Sequence, residues 1–243
     1  MIKNNLKNGF TDKKGIVYPK VLEYHFKTGE FFDLGKIIGS SHDDDVDEYG
    51  EGIGFYIFQD NDNHNIGYRI YREFNNKYDC DVQGNAPFIE KLQEKQDNVH
   101  KTIFPYGVVT LDNRVVGQII PFYENPITLR EIVRKNGWEQ YDLYLECLSI
   151  LKELCANGIY YYDLNPNNFF IINSTVRLID FEKHQVEFDK PFSNKQQRVI
   201  HNFVTILDVL SNNELWNKYP ILKEARSFDE VENIIKNIGK ALC

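Results

Sequence analysis

The residues of this chain that could carry out chemistry lie close together, between positions 160 and 182. Asp163 is followed five positions later by Asn168, and Asp180 closes the next apolar run in the sequence Leu178-Ile179-Asp180-Phe181-Glu182. An aspartate that orients a hydroxyl, combined with an asparagine and a second aspartate that hold magnesium, is a minimal set for phosphoryl transfer from ATP. Hard oxygen donors of this kind suit Mg²⁺, which keeps several waters and needs few protein ligands. The spacing therefore indicates a metal–nucleotide site.

A plain turn is the alternative interpretation of this segment. Asp163, Asn165 and Asn168 surround Pro166, and these residue types are common in turns. A turn alone, however, requires neither a preceding helix nor the five-residue step nor a following Leu-Ile-Asp-Phe. The chemical interpretation is therefore favoured.

The bulk composition limits the classes of protein to consider. The chain has 243 residues, of which 42% are hydrophobic and 26% charged, and its net charge is -8. These values predict one large domain or two closely packed lobes with a full core. The acidic balance argues against nucleic-acid or membrane-surface partners, because both require a basic face.

The cysteines and the termini add further expectations. The four cysteines form no Cys-x-x-Cys motif, so neither a zinc site nor a disulfide framework is expected, and Cys147 and Cys155 are interpreted as small buried apolar residues. No leader-type or membrane-spanning apolar run is present in the sequence. The expected location is the cytoplasm, with delivery into a host cell as an effector as the alternative.

The first half of the chain has the pattern of a sheet with one helix. A turn at 60–65 and another at 111–113 predict two hairpins. Pro87 to Asp97 carries apolar residues at helical spacing. The strand-like stretches are 31–39, 54–58, 66–72, 102–110 and 114–122.

The second half is mainly helical. Apolar stripes predict helices over 138–155, ended by Gly158, and over 193–210, capped by Ser193. Ser227-Phe228-Asp229-Glu230 is a capping box that opens a last helix. The order predicts an α+β protein with a sheet-rich lobe, a helical lobe and a joint at 121–126.

With this plan and these motifs, the chain resembles the protein-kinase-like superfamily over roughly residues 30–210. That family reads His-Arg-Asp-x-x-x-x-Asn and then Asp-Phe-Gly. The resemblance implies a two-lobed kinase-like fold of the small, divergent, bacterial type. Residues 1–29 would be an N-terminal extension, 30–122 an N-lobe with a five-stranded antiparallel sheet and helix C, and 123–243 a reduced helical C-lobe.

The resemblance also implies roles for the three central residues. Asp163 matches the catalytic aspartate, which orients the acceptor hydroxyl and receives its proton. Asn168 and Asp180 match the metal ligands that connect magnesium to the phosphates of ATP. The implied cofactors are therefore ATP and Mg²⁺.

Further roles are implied in the N-lobe. Arg69 matches the lysine that anchors phosphate, and Glu90 the helix-C glutamate that pairs with it, with ordinary surface charge as the alternative for both. Gly35 and Gly39 belong to a degenerate glycine-rich loop. The hinge, which is the start of the joint between the lobes, would contact adenine through the backbone groups of Pro121, Phe122 and Tyr123.

The chain also departs from the family. Tyr161-Tyr162 replaces His-Arg, Asn165 replaces a lysine, and Glu182 replaces the glycine of Asp-Phe-Gly. The missing arginine suggests that phosphorylation of an activation loop does not control the protein. An acidic stretch, 42–48, lies where the glycine-rich loop would be, and a solvated loop is its simplest interpretation.

Three functions follow from these observations. The favoured one is a minimal atypical protein kinase that transfers the γ-phosphate of ATP to a hydroxyl of a protein or of a small acceptor, because both metal ligands and the base are retained. The alternative is a pseudokinase, a nucleotide-binding or protein-interaction module without turnover. A second alternative is a small-molecule kinase or another nucleotide transferase.

Overall fold

The computed structural model has an α+β architecture and forms two compact units. The first unit contains Met1–Glu94 and Phe104–Glu124, and the second contains Lys95–Ile103 and Asn125–Cys243. The structure describes residues 4–5, 10–11, 17–18, 21–26, 31–33, 36–40, 55–60, 63–71, 85–111, 114–124, 126–136, 141–211 and 215–242.

An antiparallel sheet dominates the first unit. Its strands follow the order β1-β4-β9-β10-β8-β7-β6, and β5 pairs with β4, while β2 and β3 pair only with each other. The strands are β1 (Asn4–Asn5), β2 (Phe10–Thr11), β3 (Val17–Tyr18), β4 (Val21–Phe26), β5 (Phe31–Asp33), β6 (Lys36–Ser40), β7 (Phe55–Gln59), β8 (Ile66–Tyr71), β9 (Gly107–Leu111) and β10 (Arg114–Pro121).

Both predicted hairpins are confirmed. In the turn between β7 and β8, the Asp60 carboxylate accepts a hydrogen bond from the Asn63 N–H at 2.6 Å, and the Asp60 N–H donates to the Ile66 carbonyl at 3.0 Å. β9 and β10 form the second hairpin, with Leu111 opposite Arg114. The predicted strand over 102–110 begins only at Gly107, because the backbone groups of Lys101 and Ile103 form hydrogen bonds with Leu178.

The prediction of a five-stranded sheet is wrong, since the described residues alone place eight strands in this sheet. Part of the difference comes from the predicted N-terminal extension, where β4 pairs with β9 through His25 opposite Thr110 and Phe26 opposite Val109. An edge strand exposes a row of unpaired N–H and carbonyl groups, and β4 covers part of this edge of β9. The predicted run 31–39 also contains two strands, β5 and β6, instead of one.

Helix α1 (Asn85–Gln93) lies in the chain between β8 and β9, as predicted, and packs on β9 and β10. It buries an apolar stripe of Phe88, Ile89 and Leu92. It ends before the predicted limit, because a separate 3₁₀ turn, Gln96–Asn98, follows. The Gln96 side chain bonds to the carbonyl groups of Val99 and Thr102, which fixes this turn.

The second unit combines helices with two small sheets, ordered β11-β13-β14 and β12-β15. Its elements are β11 (Ile127–Thr128), α2 (Leu129–Asn136), α3 (Tyr141–Ala156), β12 (Ile159–Tyr161), β13 (Phe169–Ile172), β14 (Thr175–Leu178), β15 (Val186–Phe188), α4 (Gln196–Leu210), α5 (Leu215–Lys218), α6 (Ile221–Glu224) and α7 (Phe228–Leu242).

Helix α3 is central to this unit and packs against α4, α7, β12 and β14. Gly158 follows its end as predicted, with φ +70°, and a Cβ at this position would lie 2.1 Å from the Asp189 carbonyl oxygen. Only glycine avoids that contact. Cys147 and Cys155 are buried free thiols on α3, which confirms their interpretation as core residues, and residues 138–140 of the predicted helix lie outside the described part.

The starts of the last two long helices differ in their capping. α4 begins at Gln196 rather than Ser193, because a tight turn precedes it in which the Ser193 hydroxyl accepts from the Lys195 N–H at 3.3 Å. The capping box before α7 is confirmed by two reciprocal 3.2 Å bonds between Ser227 and Glu230. In the described residues, the helices are too short or too polar to cross a lipid bilayer.

Candidate functional site

The second unit brings Asp163, Asn168 and Asp180 together. Asp163 follows β12, Asn168 ends a 3₁₀ turn, Pro166–Asn168, and Asp180 follows β14. The turn begins with Pro166 at a position where a missing N–H costs no hydrogen bond. Asn165 caps it, because its Oδ1 accepts from the Asn167 N–H at 3.0 Å. Asn165 therefore has a local structural task.

The side chain of Asn168 is held by three contacts of its Nδ2. This atom lies 2.8 Å from the Tyr161 hydroxyl, 3.2 Å from the Asp163 carbonyl and 3.4 Å from Asp163 Oδ2. The two oxygens of Asp163 can only accept hydrogen bonds, so the amide nitrogen must face them. All described side-chain hydrogen bonds of Asn168 use Nδ2, which leaves its Oδ1 suited to bind a cation.

Tyr161 connects Asn168 to Asp180. Its hydroxyl accepts from Asn168 and donates to the Asp180 carbonyl at 3.1 Å. The side chain is 1% exposed, and its ring lies against Phe181 with a centroid distance of 4.8 Å. Burial, followed by the charges of Asp180 and Asp163, raises the pKa of the Tyr161 hydroxyl well above its usual value. The hydroxyl therefore remains a donor.

Asp180 adopts a left-handed backbone conformation with φ +67°. Such a conformation costs most side chains about 1–2 kcal/mol, and aspartate is among the residues that tolerate it best. The hydrogen bond from Tyr161 to its carbonyl and the complete burial of the neighbouring Phe181 hold it there. A non-glycine residue maintained at positive φ is typical of functional sites.

Asp163 is half-buried, and its carboxylate has two amide donors on one oxygen. Oδ2 accepts from Gln185 Nε2 at 2.9 Å and lies within reach of Asn168. Burial, and then the charge of Asp180, raise the pKa of the Asp163 carboxyl, while the Asn168 bond and the His184 charge oppose this shift. A base with increased proton affinity is better matched to neutral pH.

Together, Tyr161, Asp163, Asn168, Asp180 and Gln185 form a hydrogen-bonded set that we call the Tyr161 cluster. Gln185 was not identified from the sequence, because a glutamine 22 positions after Asp163 belongs to no motif. Its proximity follows from the pairing of β12 with β15, which places Val186 opposite Tyr161.

The donor chemistry of the Tyr161 cluster fits magnesium. The Asn168 Oδ1 and the Asp180 carboxylate are hard oxygen donors, and Mg²⁺ commonly takes one or two carboxylates and completes its shell with water and phosphate oxygens. Over the described residues, no group of three or more histidine, cysteine, aspartate or glutamate side chains is arranged to hold a metal.

In the first unit, Arg69 and Glu90 differ in exposure. Arg69 on β8 is only 7% exposed, and its guanidinium lies 4.5 Å from the centroid of the Phe55 ring, so it is not an ordinary surface charge. Glu90 lies on the exposed face of α1. The phosphate-anchoring role of Arg69 and its pairing with Glu90 stay predictions.

The structure describes only some of the other predicted nucleotide-binding residues. Gly39 lies at a register shift of β6, whereas Gly35 and the acidic stretch 42–48 lie outside the described residues. Pro121 has no N–H. The Phe122 N–H donates to the Asn65 carbonyl at 2.8 Å. If a purine bound here, it would therefore have to contact other backbone groups near Tyr123.

The arrangement offers a specific chemistry. Gln185 and Asn168 hold one carboxylate oxygen of Asp163. The hydrogen bonds of Asn168 Nδ2 fix the orientation of the Asn168 amide and therefore of its Oδ1. The hydrogen bond from Tyr161 to the Asp180 carbonyl fixes the backbone of Asp180. Such a set can orient a hydroxyl beside a cation. Comparison with protein-family models and with curated protein sequences finds no match to this chain.

Proposed function

We propose that this chain is an ATP- and magnesium-dependent phosphotransferase with a two-lobed protein-kinase-like fold, which transfers the γ-phosphoryl group to a hydroxyl. The observation that supports this most directly is the Tyr161 cluster, in which one buried hydroxyl joins Asn168 to Asp180 while Asn168 also reaches Asp163. A plain turn at Pro166 would not need this connection to Asp180.

Asp163 is the proposed base. The acceptor oxygen would attack the γ-phosphorus, its proton would pass to Asp163, and the bond between the γ-phosphorus and the β,γ-bridging oxygen would break to release ADP. The raised pKa of Asp163 supports this role, because proton transfer is most efficient when the affinities of donor and acceptor are close.

Asn168 and Asp180 are the proposed magnesium ligands, through Oδ1 and the carboxylate respectively. Bound magnesium would neutralise the charge on the phosphates. Tyr161 would fix the positions of the two ligands relative to each other, since its hydroxyl bonds to both residues. A hydroxyl of a protein is the favoured acceptor, and a small hydroxylated molecule is the alternative.

Incubation with γ-labelled ATP and Mg²⁺, alone and with cell extract, tests the proposal. Asp163→Asn should lower kcat by about 10²- to 10⁴-fold, the usual contribution of a general base. Asp180→Asn should abolish the transfer of label, and added Mg²⁺ should not restore it. Asp142→Asn, an exposed aspartate on α3, is the control for the loss of one negative charge. Full activity of Asp163→Asn would disprove the assignment.

A nucleotide-binding module without turnover is the second candidate. The stacking of the Arg69 guanidinium on Phe55 favours it, because an arginine held on an aromatic ring is not equivalent to the flexible lysine that it replaces. This candidate predicts that ATP and Mg²⁺ raise the melting temperature without transfer of label. Parallel reactions with α-labelled ATP would detect transfer of a nucleotidyl group instead.

A further inference from the structure

Gln185 connects two parts of the second unit through four hydrogen bonds. Its Nε2 donates to Asp163 Oδ2 at 2.9 Å, and its Oε1 accepts from the Glu182 N–H at 3.3 Å. Its backbone carbonyl accepts from the Tyr162 N–H at 2.9 Å, and its N–H donates to the Glu182 carbonyl at 3.0 Å. One residue therefore joins the segment that follows Asp180 to the segment that carries Asp163.

The two oxygens of the Asp163 carboxylate are not equivalent. Gln185 donates to Oδ2, and Asn168 also approaches Oδ2, at 3.4 Å. No hydrogen bond between Asp163 and the described residues uses Oδ1. A carboxylate held by one oxygen cannot rotate freely, so the position of its second oxygen is also determined.

We propose that Gln185 is a positioning residue that fixes the Asp163 carboxylate through Oδ2, so that Oδ1 receives the proton of the acceptor hydroxyl. This inference rests on the proposed phosphotransferase function. Gln185 does not touch the reacting atoms and acts only through Asp163. A misplacement of about 1 Å in a reacting group can reduce a rate by about 100-fold, so the effect of losing this contact should be large.

The chemistry of an amide suits this task. A neutral N–H donor forms a strong charge-assisted hydrogen bond with an ionised carboxylate. Unlike a lysine, it adds no positive charge that would lower the proton affinity of the base. The same amide also presents an oxygen to the Glu182 N–H, so the orientation of Gln185 is itself fixed.

The first experiment needs no catalytic activity and no nucleotide. Free energies of unfolding are measured for wild type, Gln185→Leu, Asp163→Ala and the double variant. If the two side chains interact, the double variant should lose less stability than the sum of the single variants. The second measurement uses NMR. The side-chain amide resonances of Gln185 are assigned by their absence in Gln185→Leu. They should shift in the folded Asp163→Asn protein. Additive stabilities with unmoved resonances would overturn the proposal.

The second experiment separates positioning from folding. Gln185→Glu keeps the length of the side chain and an acceptor for the Glu182 N–H, but in its ionised form it cannot donate to Asp163. We expect Gln185→Glu and Gln185→Leu to lower kcat by about 10- to 100-fold, with the KM for ATP changed less than about twofold. Gln197→Glu and Gln197→Leu, on the exposed side of α4, are the matched controls and should behave as wild type.

The outcomes separate the two proposals. An active wild type with an unaffected Gln185→Glu variant would overturn the role of Gln185 and leave the phosphotransferase function intact. A wild type that transfers no phosphate would overturn the function, and the catalytic role of Gln185 with it, even if the unfolding energies proved non-additive.

Discussion

The side chains of the Tyr161 cluster are held in position by a few hydroxyl and amide hydrogen bonds. The Tyr161 hydroxyl bonds to Asn168 and to the Asp180 carbonyl, so both proposed metal ligands depend on one oxygen atom. We expect Tyr161→Phe to weaken Mg²⁺-dependent nucleotide binding about 10-fold, and to lower the free energy of unfolding by about 1–3 kcal/mol because the Asp180 carbonyl loses its donor. Titration calorimetry with ATP and Mg²⁺, together with urea denaturation, measures both effects.

Tyr160→Phe is the matched control for this change. The Tyr160 hydroxyl also makes two hydrogen bonds, donating to the Lys190 carbonyl and accepting from the Ser193 N–H, but it lies outside the cluster. This variant should lose similar stability and keep the affinity for nucleotide. Equal effects of the two variants on affinity would show that the Tyr161 hydroxyl has no special role.

Asp163 should make the stability of the protein depend on pH. Its folded pKa is raised, chiefly by burial and by Asp180, above an unfolded value of about 3.9. The folded state therefore binds the proton more tightly, and stability falls as the pH rises from the unfolded to the folded pKa. Asp163→Asn does not titrate, so its stability relative to wild type should increase as the pH rises above the unfolded value of about 3.9 and through the raised folded pKa. Urea denaturation in metal-free buffer would measure this, and a constant difference would contradict it.

At the residue scale, the sequence predicted the members of the site that belong to a motif. The five-residue step from Asp163 to Asn168 spans one local turn, and the hairpin of β13 and β14 then returns the chain to Asp180. Gln185 was missed, because its contact with Asp163 depends on the β12–β15 pairing and not on any sequence pattern.

At the scale of elements, the tight hairpin between β13 and β14 can be improved. Asn173 and Ser174 have φ values of +50° and +60°. Positive φ at both positions is the pattern of a two-residue turn that favours Asn-Gly. Ser174→Gly should therefore raise the free energy of unfolding by about 1 kcal/mol, since glycine adopts this conformation without strain. Thermal and urea denaturation would measure the change.

The same substitution in a helix should have the opposite sign. Ser149 is exposed within α3. Glycine at this position should cost about 0.5 kcal/mol relative to serine, because glycine has the lower helix propensity. If both variants were destabilised equally, the positive φ of Ser174 would not be a source of strain.

The strand-rich half shows why elements were only partly predictable. The hairpins β7–β8 and β9–β10 were predicted because their turns contain residues that favour turns. β4 was not predicted, although Leu22, Tyr24 and Phe26 alternate with Glu23 and His25, because the run is short and its partner β9 is distant along the chain. Pairing over such a separation depends on the tertiary fold.

At the scale of the whole molecule, the unit boundaries do not follow the order of the chain. Residues 95–103 belong to the second unit, although they lie between α1 and β9. Lys95 Nζ donates to the Asn157 carbonyl at 2.8 Å, and Ile103 and Lys101 form backbone hydrogen bonds with Leu178. This backbone pairing with Leu178 explains why the predicted strand did not begin at position 102.

A substitution at Val99 tests whether residues 95–103 stabilise the second unit. It is 1% exposed. Val99→Ala should lower the free energy of unfolding by about 1–3 kcal/mol through the cavity that it leaves. Hydrogen exchange should show faster exchange at the amides of Ile103 and Leu178 and in α3. Val209→Ala, which removes the same atoms from a 52% exposed side chain on α4, should have little effect. Unchanged exchange at Leu178 in Val99→Ala would contradict the assignment of this segment to the second unit.

The tyrosine at position 161 has a consequence for the acidity that the protein can tolerate. A histidine in its place would gain a proton near neutral pH and would then have no acceptor to offer Asn168. The Tyr161 hydroxyl has its pKa raised well above the usual value, so it stays protonated throughout the range in which cells live. The Tyr161 hydroxyl should therefore offer the same acceptor to Asn168 and the same donor to Asp180 in an acidified compartment as in a neutral one.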